Sequence, residues 1–140
     1  MEIKIKRFTP DAILPKYAHP GDVGMDMYSR EEFILQPGER IIANTGFALE
    51  FEKGYAAIVK DKSGVAADGI HTAGGVFDAG YRGEYNAQLV NLGKKPYEVK
   101  KGQKIAQLII YPVAIAQLIE VDELSDSSRG AGKLGSTGKF

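Results

Sequence analysis

Four short segments of the sequence combine glycine with charged or hydroxyl side chains, and each could bind part of a charged ligand. They are "PGDVGMDMYS" (20–29), "KDKSG" (60–64), "GGVFDAGYRGEYN" (74–86) and the C-terminal "SSRGAGKLGSTGKF" (127–140). Glycine lets the backbone approach a ligand closely, and loop side chains between structural elements supply the polar contacts. Together the segments predict a site for a polyanion attached to a small planar group.

Two of these segments offer carboxylates. Asp22 and Asp26 lie four residues apart among glycines, where they could approach a cation or its water shell, although an ordinary Asx turn explains the same pattern. Asp78 could accept a proton from water, and Tyr81 could stack on a sugar or base. A plain β-hairpin with a turn-forming aspartate is the alternative for this third segment.

The other two segments offer groups that bind anions. Lys62 and Ser63 stand beside a glycine at the start of a short predicted helix, a combination that can hold phosphate. A capped helix with a solvated lysine would have the same sequence. The C-terminal segment places Arg129, Ser136 and Thr137 among glycines, so it could wrap a phosphate chain. Its composition predicts a flexible tail that orders only when a ligand is bound.

Several other chemistries are excluded by residue counts and spacing. The chain has no cysteine, which removes disulfides, thiolate metal sites and cysteine nucleophiles. It has neither a P-loop pattern nor the His/Cys pattern of a zinc deaminase. His19 and His71 lack a partner at metal-ligand spacing and are interpreted as surface or turn residues. The net charge of zero gives no indication of nucleic-acid or membrane binding.

The elements that must position these segments are predicted to be strands. Turn signals recur about every 8–12 residues, which is typical of an all-β sandwich or barrel. Strands are predicted at 2–6, on both sides of a Pro37-Gly38 turn, and at 53–60, and three or four more follow from 83 to 121. In the strand after that turn, alternation puts Phe47, Leu49 and Phe51 on one face.

Two segments are less regular. "SGVAADG" (63–69) predicts the only helix, with Ser63 as its N-cap and Gly69 near its end. "AIAQLIEVDEL" (114–124) has helical propensity but also fits a strand, and a strand is predicted. At 140 residues the chain is expected to form one domain over 1–124, followed by a flexible arm over 125–140. The charged N-terminus and the lack of a long apolar run predict a cytoplasmic protein.

The segments also resemble a known family. "VGMDMYS", "DKSGVA", "GGVFDAGYRGE", "GQKIAQLI" and "RGAGKLGSTG" occur in the order and spacing of the five signature motifs of the homotrimeric dUTP diphosphatases (dUTPases), across 23–138. This resemblance implies a jelly-roll-like (β-clip) distorted barrel and a homotrimer whose three subunits share each active site. It implies Mg²⁺-assisted hydrolysis of dUTP to dUMP and diphosphate, which limits uracil in DNA and supplies dUMP for thymidylate synthesis.

The resemblance also assigns roles to residues. Asp78 would activate water, and Asp26 would act on the metal through water. Tyr81 would pack on deoxyribose, and Arg129 would clamp the terminal phosphate. Leu134 would cover the base. With the residues expected to hold uracil or the phosphates, the substrate-binding set is Lys62, Ser63, Gly64, Gly75, Val76, Tyr81, Gln107, Arg129, Leu134, Gly135, Ser136 and Thr137.

Four departures from the family pattern leave alternatives open. Lys62 stands for an arginine, Gly80 for an acidic residue, Gln103-Lys104 for Asp-Arg, and Leu134 for an aromatic residue. We expect activity to survive, with weaker base stacking and looser phosphate positioning. A dCTP deaminase or bifunctional enzyme of the same fold is the alternative enzyme and would need Glu84 as its proton shuttle. A catalytically weak nucleotide-binding or interaction protein is the alternative of another class.

Overall fold

The computed structural model describes residues 1–133, which fold into eleven strands and one helix of five residues. No helix in this part of the chain could cross a membrane. The predicted all-β class with one short helix is confirmed. The elements are β1 (Lys4–Arg7), β2 (Met25–Tyr28), β3 (Phe33–Leu35), β4 (Arg40–Asn44), β5 (Phe47–Glu50), β6 (Tyr55–Lys60), α1 (Ser63–Ala67), β7 (Ile70–Thr72), β8 (Val76–Asp78), β9 (Asn86–Asn91), β10 (Tyr97–Val99) and β11 (Lys104–Pro112).

All strand pairs are antiparallel, and they form four sheets. The largest has the order β2-β11-β6-β8, the next has the order β4-β9-β7, and β1-β5 and β10-β3 are two-stranded. Most neighbouring strands are distant in sequence, which is the connectivity of a jelly-roll-like fold and not of a simple meander. The sheets do not close into a barrel within residues 1–133.

The predicted apolar face of the strand at 47–51 is part of the core. Phe47, Leu49 and Phe51 are all buried, as the alternation predicts. The predicted long strand, however, is two strands, β4 and β5, because Gly46 interrupts it with a φ of +81°. A Cβ on Gly46 would lie 2.5 Å from Ala12 Cβ, so the close packing there also requires glycine.

The helix begins one residue earlier than predicted. Ser63 is the first residue of α1. The N-cap is Lys62, whose backbone is extended and whose side chain makes no capping hydrogen bond. The prediction of Ser63 as N-cap is therefore wrong, and its hydroxyl is not used for capping. Gly69 ends the helical segment with a φ of +87°, as predicted.

Two other predictions of local structure are wrong. Segment 74–86 is not a hairpin, because β8 pairs with β6 while β9 pairs with β4 and β7. The chain crosses between two sheets there, after a turn closed by Tyr81 N–H donating to the Asp78 carbonyl. Residues 113–133 contain no strand or helix, so the strand predicted at 114–124 is also absent. Ile115, Leu118 and Val121 are exposed, because no described part of this chain packs on them.

Candidate active site

A cleft of about 410 Å³ contains side chains from three of the five motifs, the first, second and fourth. Its centre is Asp26, which is 4% exposed on strand β2. Lys62 Nζ donates to Asp26 Oδ1 at 2.7 Å, and Lys104 Nζ lies 2.6 Å from Oδ2. Burial alone would raise the pKa of Asp26, but the two ammonium groups outweigh burial and hold that pKa below its ordinary value. Asp26 is therefore an ionised carboxylate between two lysines.

Strand β11 brings two residues to this cleft because it contains a β-bulge. Lys104 and Gln107 are three positions apart and would point to opposite faces of a regular strand. The pairing of β11 with β2 shifts register between Lys104 and Ala106, which inserts one extra residue. Ile105 and Ala106 are consequently both buried, and Lys104 and Gln107 both line the cleft with Asp26.

Gln107 is fixed from two directions. Its Nε2 donates to the Asp61 carbonyl at 2.8 Å, just before the Lys62-Ser63 segment. On its other side lies Gly24, where a Cβ would collide with Gln107 Oε1 and lie 2.9 Å from Cδ. The glycine of the first motif is thus needed for space and not for an unusual backbone conformation.

A second cleft, of about 230 Å³, contains the residues predicted to bind the nucleoside. Gly75, Val76, Asp78 and Tyr81 all line it. Gly75 has a φ of +92°, and a Cβ there would lie 2.9 Å from Val59 Cβ. Its carbonyl accepts from Val59 N–H at 2.8 Å, so the backbone that borders the cleft is held tightly against β6. Three residues that the sequence analysis did not select complete the lining: Phe77 and the carboxamides of Asn86 and Gln88.

Tyr81 is positioned by aromatic packing and by a glycine. Its ring lies 5.5 Å from Phe77 and 5.9 Å from Tyr85 between centroids, and its hydroxyl donates to the Glu84 carbonyl at 3.1 Å. A Cβ on Gly83 would lie 2.5 Å from Tyr81 Cζ, so the ring occupies space that any larger residue at 83 would take. Burial raises the pKa of Tyr85 to about 12, which keeps the supporting phenol neutral.

The two clefts have no lining residue in common. Ser63 and Gly64 adjoin the Asp26 cleft at the start of α1 and are exposed, but they do not line it. Arg129 lies apart from both clefts, and its Nε donates to the Gly132 carbonyl within its own turn. Four further predicted residues lie outside the described part of the chain: Leu134, Gly135, Ser136 and Thr137.

The departures from the family pattern have local explanations. Gly80 is exposed, and a Cβ there would meet nothing within 4 Å, so no contact in this chain depends on its identity. Gln103 belongs to the β10–β11 turn, where its Oε1 accepts from Lys100 N–H and its Nε2 donates to Tyr97 Oη. Lys104 retains a cation beside Asp26.

The residues of the Asp26 cleft do not form a protein cage for a metal. Both oxygens of Asp26 face lysines, and no group of three or more His, Cys, Asp or Glu side chains at metal-binding distances occurs in residues 1–133. Mg²⁺ held at Asp26 would therefore need further oxygen ligands, from waters or from a bound anion.

Comparison with known proteins places this geometry in a family. The dUTPase family model matches residues 10–138. The chain is 47% identical to the deoxyuridine 5'-triphosphate nucleotidohydrolase of Thermobifida fusca, over 99% of this chain and 79% of that protein. It is 44% identical to the enzyme of the same name from Nautilia profundicola, over 99% of this chain and all of that protein.

Solved structures agree with the sequence comparison. The Staphylococcus bacteriophage 80alpha dUTPase (G164S mutant), solved with dUpNHpp, has a TM-score of 0.92 to this chain at 27% identity and covers 98% of both chains. The match therefore extends over the sheets that carry both clefts. With the family model and the curated relatives, it establishes that the chain belongs to the dUTPase family.

Proposed function

We propose that this protein hydrolyses dUTP to dUMP and diphosphate, at active sites that the subunits of a homotrimer share. The observation that carries the proposal is the pair of separate clefts. One is lined by Lys62, Lys104 and Gln107, which would bind a phosphate chain, and the other by Gly75, Asp78 and Tyr81, which would bind a nucleoside. Because one substrate needs both surfaces, their separation within a chain supports sites built from different subunits.

The phosphate chain would be held by cations that Asp26 keeps in place. Each lysine ammonium has three N–H donors; Lys62 donates one of them to Asp26, and Lys104 is placed beside Asp26 by an ion pair. The Lys62 side chain is 32% exposed and that of Lys104 is 44% exposed, so both ammonium groups remain open to phosphate oxygens. Lys62 and Lys104 would share the neutralisation of the triphosphate charge with Mg²⁺ bound to the substrate.

Asp78 is the proposed general base. It ends strand β8, its backbone is fixed by pairing with Ala56, and it is exposed in the nucleoside cleft. Its carboxylate would take a proton from water, and the water oxygen would bond to the α-phosphorus. The anhydride bond between the α- and β-phosphoryl groups would then break. The leaving diphosphate takes the electron pair. General-base assistance of this kind is typically worth about 10²–10⁴ in rate.

Base and sugar selectivity would come from the same cleft. Backbone amide groups near Gly75 and Val76 can pair with the edge of uracil, whereas the amino group of cytosine would put donor against donor. Such a mismatch leaves a buried polar group unpaired and costs about 1–3 kcal/mol. The Tyr81 ring would occupy the space that a 2′-hydroxyl needs, which would favour deoxyribose. Recognition of a nucleotide-pool substrate is consistent with action in the cytoplasm.

The position of Glu84 opposes the deaminase alternative. Its Oε1 accepts from Gly46 N–H at 2.7 Å and lies 3.5 Å from Arg30 Nη1, and it does not line the nucleoside cleft. A proton shuttle for cytosine would have to reach the base. Retention of Asp78, Tyr81, Arg129 and Gln107 likewise opposes a purely structural role, which would require none of them.

One experiment separates the three functions. The protein is incubated with dUTP, dCTP, dTTP or UTP in the presence of Mg²⁺, and diphosphate and ammonia are both measured. Diphosphate from dUTP alone supports the proposal, ammonia from dCTP supports a deaminase, and no product from any of them supports an interaction protein. Asp78→Asn protein purified in parallel controls for contaminating phosphatases.

A further inference from the structure

We propose that Asp61 is a positioning residue, which holds the phosphate-binding segment in place by fastening it to strand β7. Asp61 lies between the last residue of β6 and Lys62. Its Oδ1 accepts from Thr72 N–H and from Thr72 Oγ1, each at 2.6 Å, and its Oδ2 lies 2.8 Å from His71 Nδ1. Asp61 and the two β7 residues line neither cleft, so they would act through their neighbours.

The contacts show that this carboxylate is built into the fold. Burial alone would raise its pKa, but hydrogen bonds from Thr72 and His71 outweigh burial and hold the pKa of Asp61 below its ordinary value. An ionised carboxylate can only accept hydrogen bonds, so His71 Nδ1 must carry the hydrogen. His71 therefore has Asp61 as a structural partner; it is half-buried on β7, whereas the sequence indicated a surface or turn residue.

The Asp61 contacts close the segment that contains the second motif. Residues 61 and 72 are 11 apart in sequence, and Lys62, Ser63, Gly64 and α1 lie between them. The main-chain carbonyl of Asp61 accepts a hydrogen bond from Gln107 Nε2 at 2.8 Å. Asp61 is thus fixed to β7 through its side chain and to β11 through its backbone. Lys62, next in sequence, receives its position from these two attachments.

The Asp61 carboxylate is also bonded close to the start of segment 74–86, which lines the nucleoside cleft. Thr72 ends β7 and is followed by Ala73, whose N–H donates to the Gln88 carbonyl, and then by Gly74 and Gly75. Asp61 therefore connects the segment that would bind phosphate with the strand that leads to the segment that would bind uracil. This inference rests on the proposed function.

The proposal predicts a loss that depends on the phosphate chain. Asp61→Asn keeps the size of the side chain but removes its charge and replaces one acceptor oxygen with an NH₂ group, which His71 can accommodate only by moving its hydrogen from Nδ1 to Nε2. We expect its affinity for the uncleaved analogue dUpNHpp to fall by about tenfold or more, and its affinity for dUMP to fall by less than about threefold. KM for dUTP should rise by a similar factor. A merely structural role would lower the melting temperature without changing the ratio of the two affinities.

Matched variants complete the experiment. Thr72→Val removes the hydroxyl bond and keeps the main-chain bond, whereas Thr72→Ser keeps both. Asp68→Asn is the control, because it removes an exposed carboxylate at the C-terminal end of α1. Calorimetric titration with dUpNHpp and dUMP should show the altered ratio in Asp61→Asn and Thr72→Val and a wild-type ratio in Thr72→Ser and Asp68→Asn.

The outcomes distinguish this inference from the proposed function. Wild-type ratios in both Asp61→Asn and Thr72→Val, with the wild-type protein active on dUTP, would overturn the positioning role alone. If Asp61→Asn does not fold, the ratio of the dUpNHpp and dUMP affinities in Thr72→Val alone tests the positioning role. A wild-type protein that neither binds dUpNHpp nor hydrolyses dUTP would overturn the proposed function itself.

Discussion

Gly24 on the approach to β2 lies directly against the carboxamide of Gln107 on β11. A Cβ at Gly24 would collide with Gln107 Oε1, the far end of a flexible side chain, and would lie 3.3 Å from Gln107 Cβ. Gly24→Ala should therefore displace the carboxamide with little disturbance of the backbone. We expect KM for dUTP to rise by about 10-fold or more, the equivalent of one lost hydrogen bond to a charged group. Steady-state kinetics and thermal unfolding of the variant test both parts.

The matched control is the double variant. If Gly24→Ala acts only by displacing Gln107, then Gly24→Ala/Gln107→Ala should have the same KM as Gln107→Ala alone, because contacting residues show non-additive effects. Additive losses would mean that Gly24 acts independently of Gln107.

Gly83 determines where the Tyr81 ring can lie. Gly83→Ala would place a methyl group against the phenol, which packs on Phe77 and Tyr85 and donates to the Glu84 carbonyl. We expect the ratio of kcat/KM for dUTP to kcat/KM for UTP to fall by about 10-fold, because a displaced ring no longer excludes a 2′-hydroxyl. Gly80→Ala is the control, since a Cβ there meets nothing within 4 Å. An unchanged ratio in Gly83→Ala would mean that the Tyr81 ring does not discriminate between deoxyribose and ribose.

The ion pairs of Asp26 should make stability depend on acid pH. The folded-state pKa of Asp26 is lowered, so its stabilising effect is present above the ordinary pKa of 3.8 and is lost as the pH falls through the folded-state value. Asp26→Asn should lower the free energy of unfolding by about 1.5–3 kcal/mol at pH 7. The difference from wild type should shrink below about pH 4.

Urea unfolding at pH 7 and pH 3.5, at one protein concentration, measures the effect of Asp26→Asn. Asp11→Asn is the comparison, because Asp11 pairs with Lys101 at 2.6 Å where both side chains are about half exposed, 50% and 56%. Solvent screens that pair, so its loss at pH 7 should be smaller. An equal loss from the two variants would contradict a special role for the buried carboxylate.

The sequence allowed the site residues to be chosen but not all of their contacts. Gly75, Asp78 and Tyr81 lie within seven residues of one another, so local spacing was enough to predict that they share a cleft. The position of Lys104 beside Asp26 depends on a β-bulge, and no residue pattern in β11 marks that extra residue. The Asp61–Thr72 contact depends on how β7 returns past α1, which spacing along the chain does not determine.

The strand predicted at 114–124 failed for a different physical reason. Alternating apolar residues favour a strand only if another strand pairs with it and a surface covers its apolar side. Ile115, Leu118 and Val121 are 77%, 93% and 55% exposed, so the described part of this chain supplies neither. Strand propensity therefore predicted the strands that pair around the core. It did not predict the structure of 114–124, which pairs with no strand among the described residues.

Asp78 and the C-terminal segment provide the test of shared sites. Asp78→Asn should reduce kcat by at least about 10²-fold while dUpNHpp still binds, because the amide cannot accept the proton from water. A chain truncated after Ser128 lacks Arg129 and everything that follows it, and should also be nearly inactive. If one site takes Asp78 from one subunit and Arg129 from another, mixing the two defective proteins under conditions of subunit exchange should restore a measurable fraction of activity. Exchange is verified independently with two affinity tags, and mixed trimers without restored activity would show that each segment serves the Asp78 of its own chain.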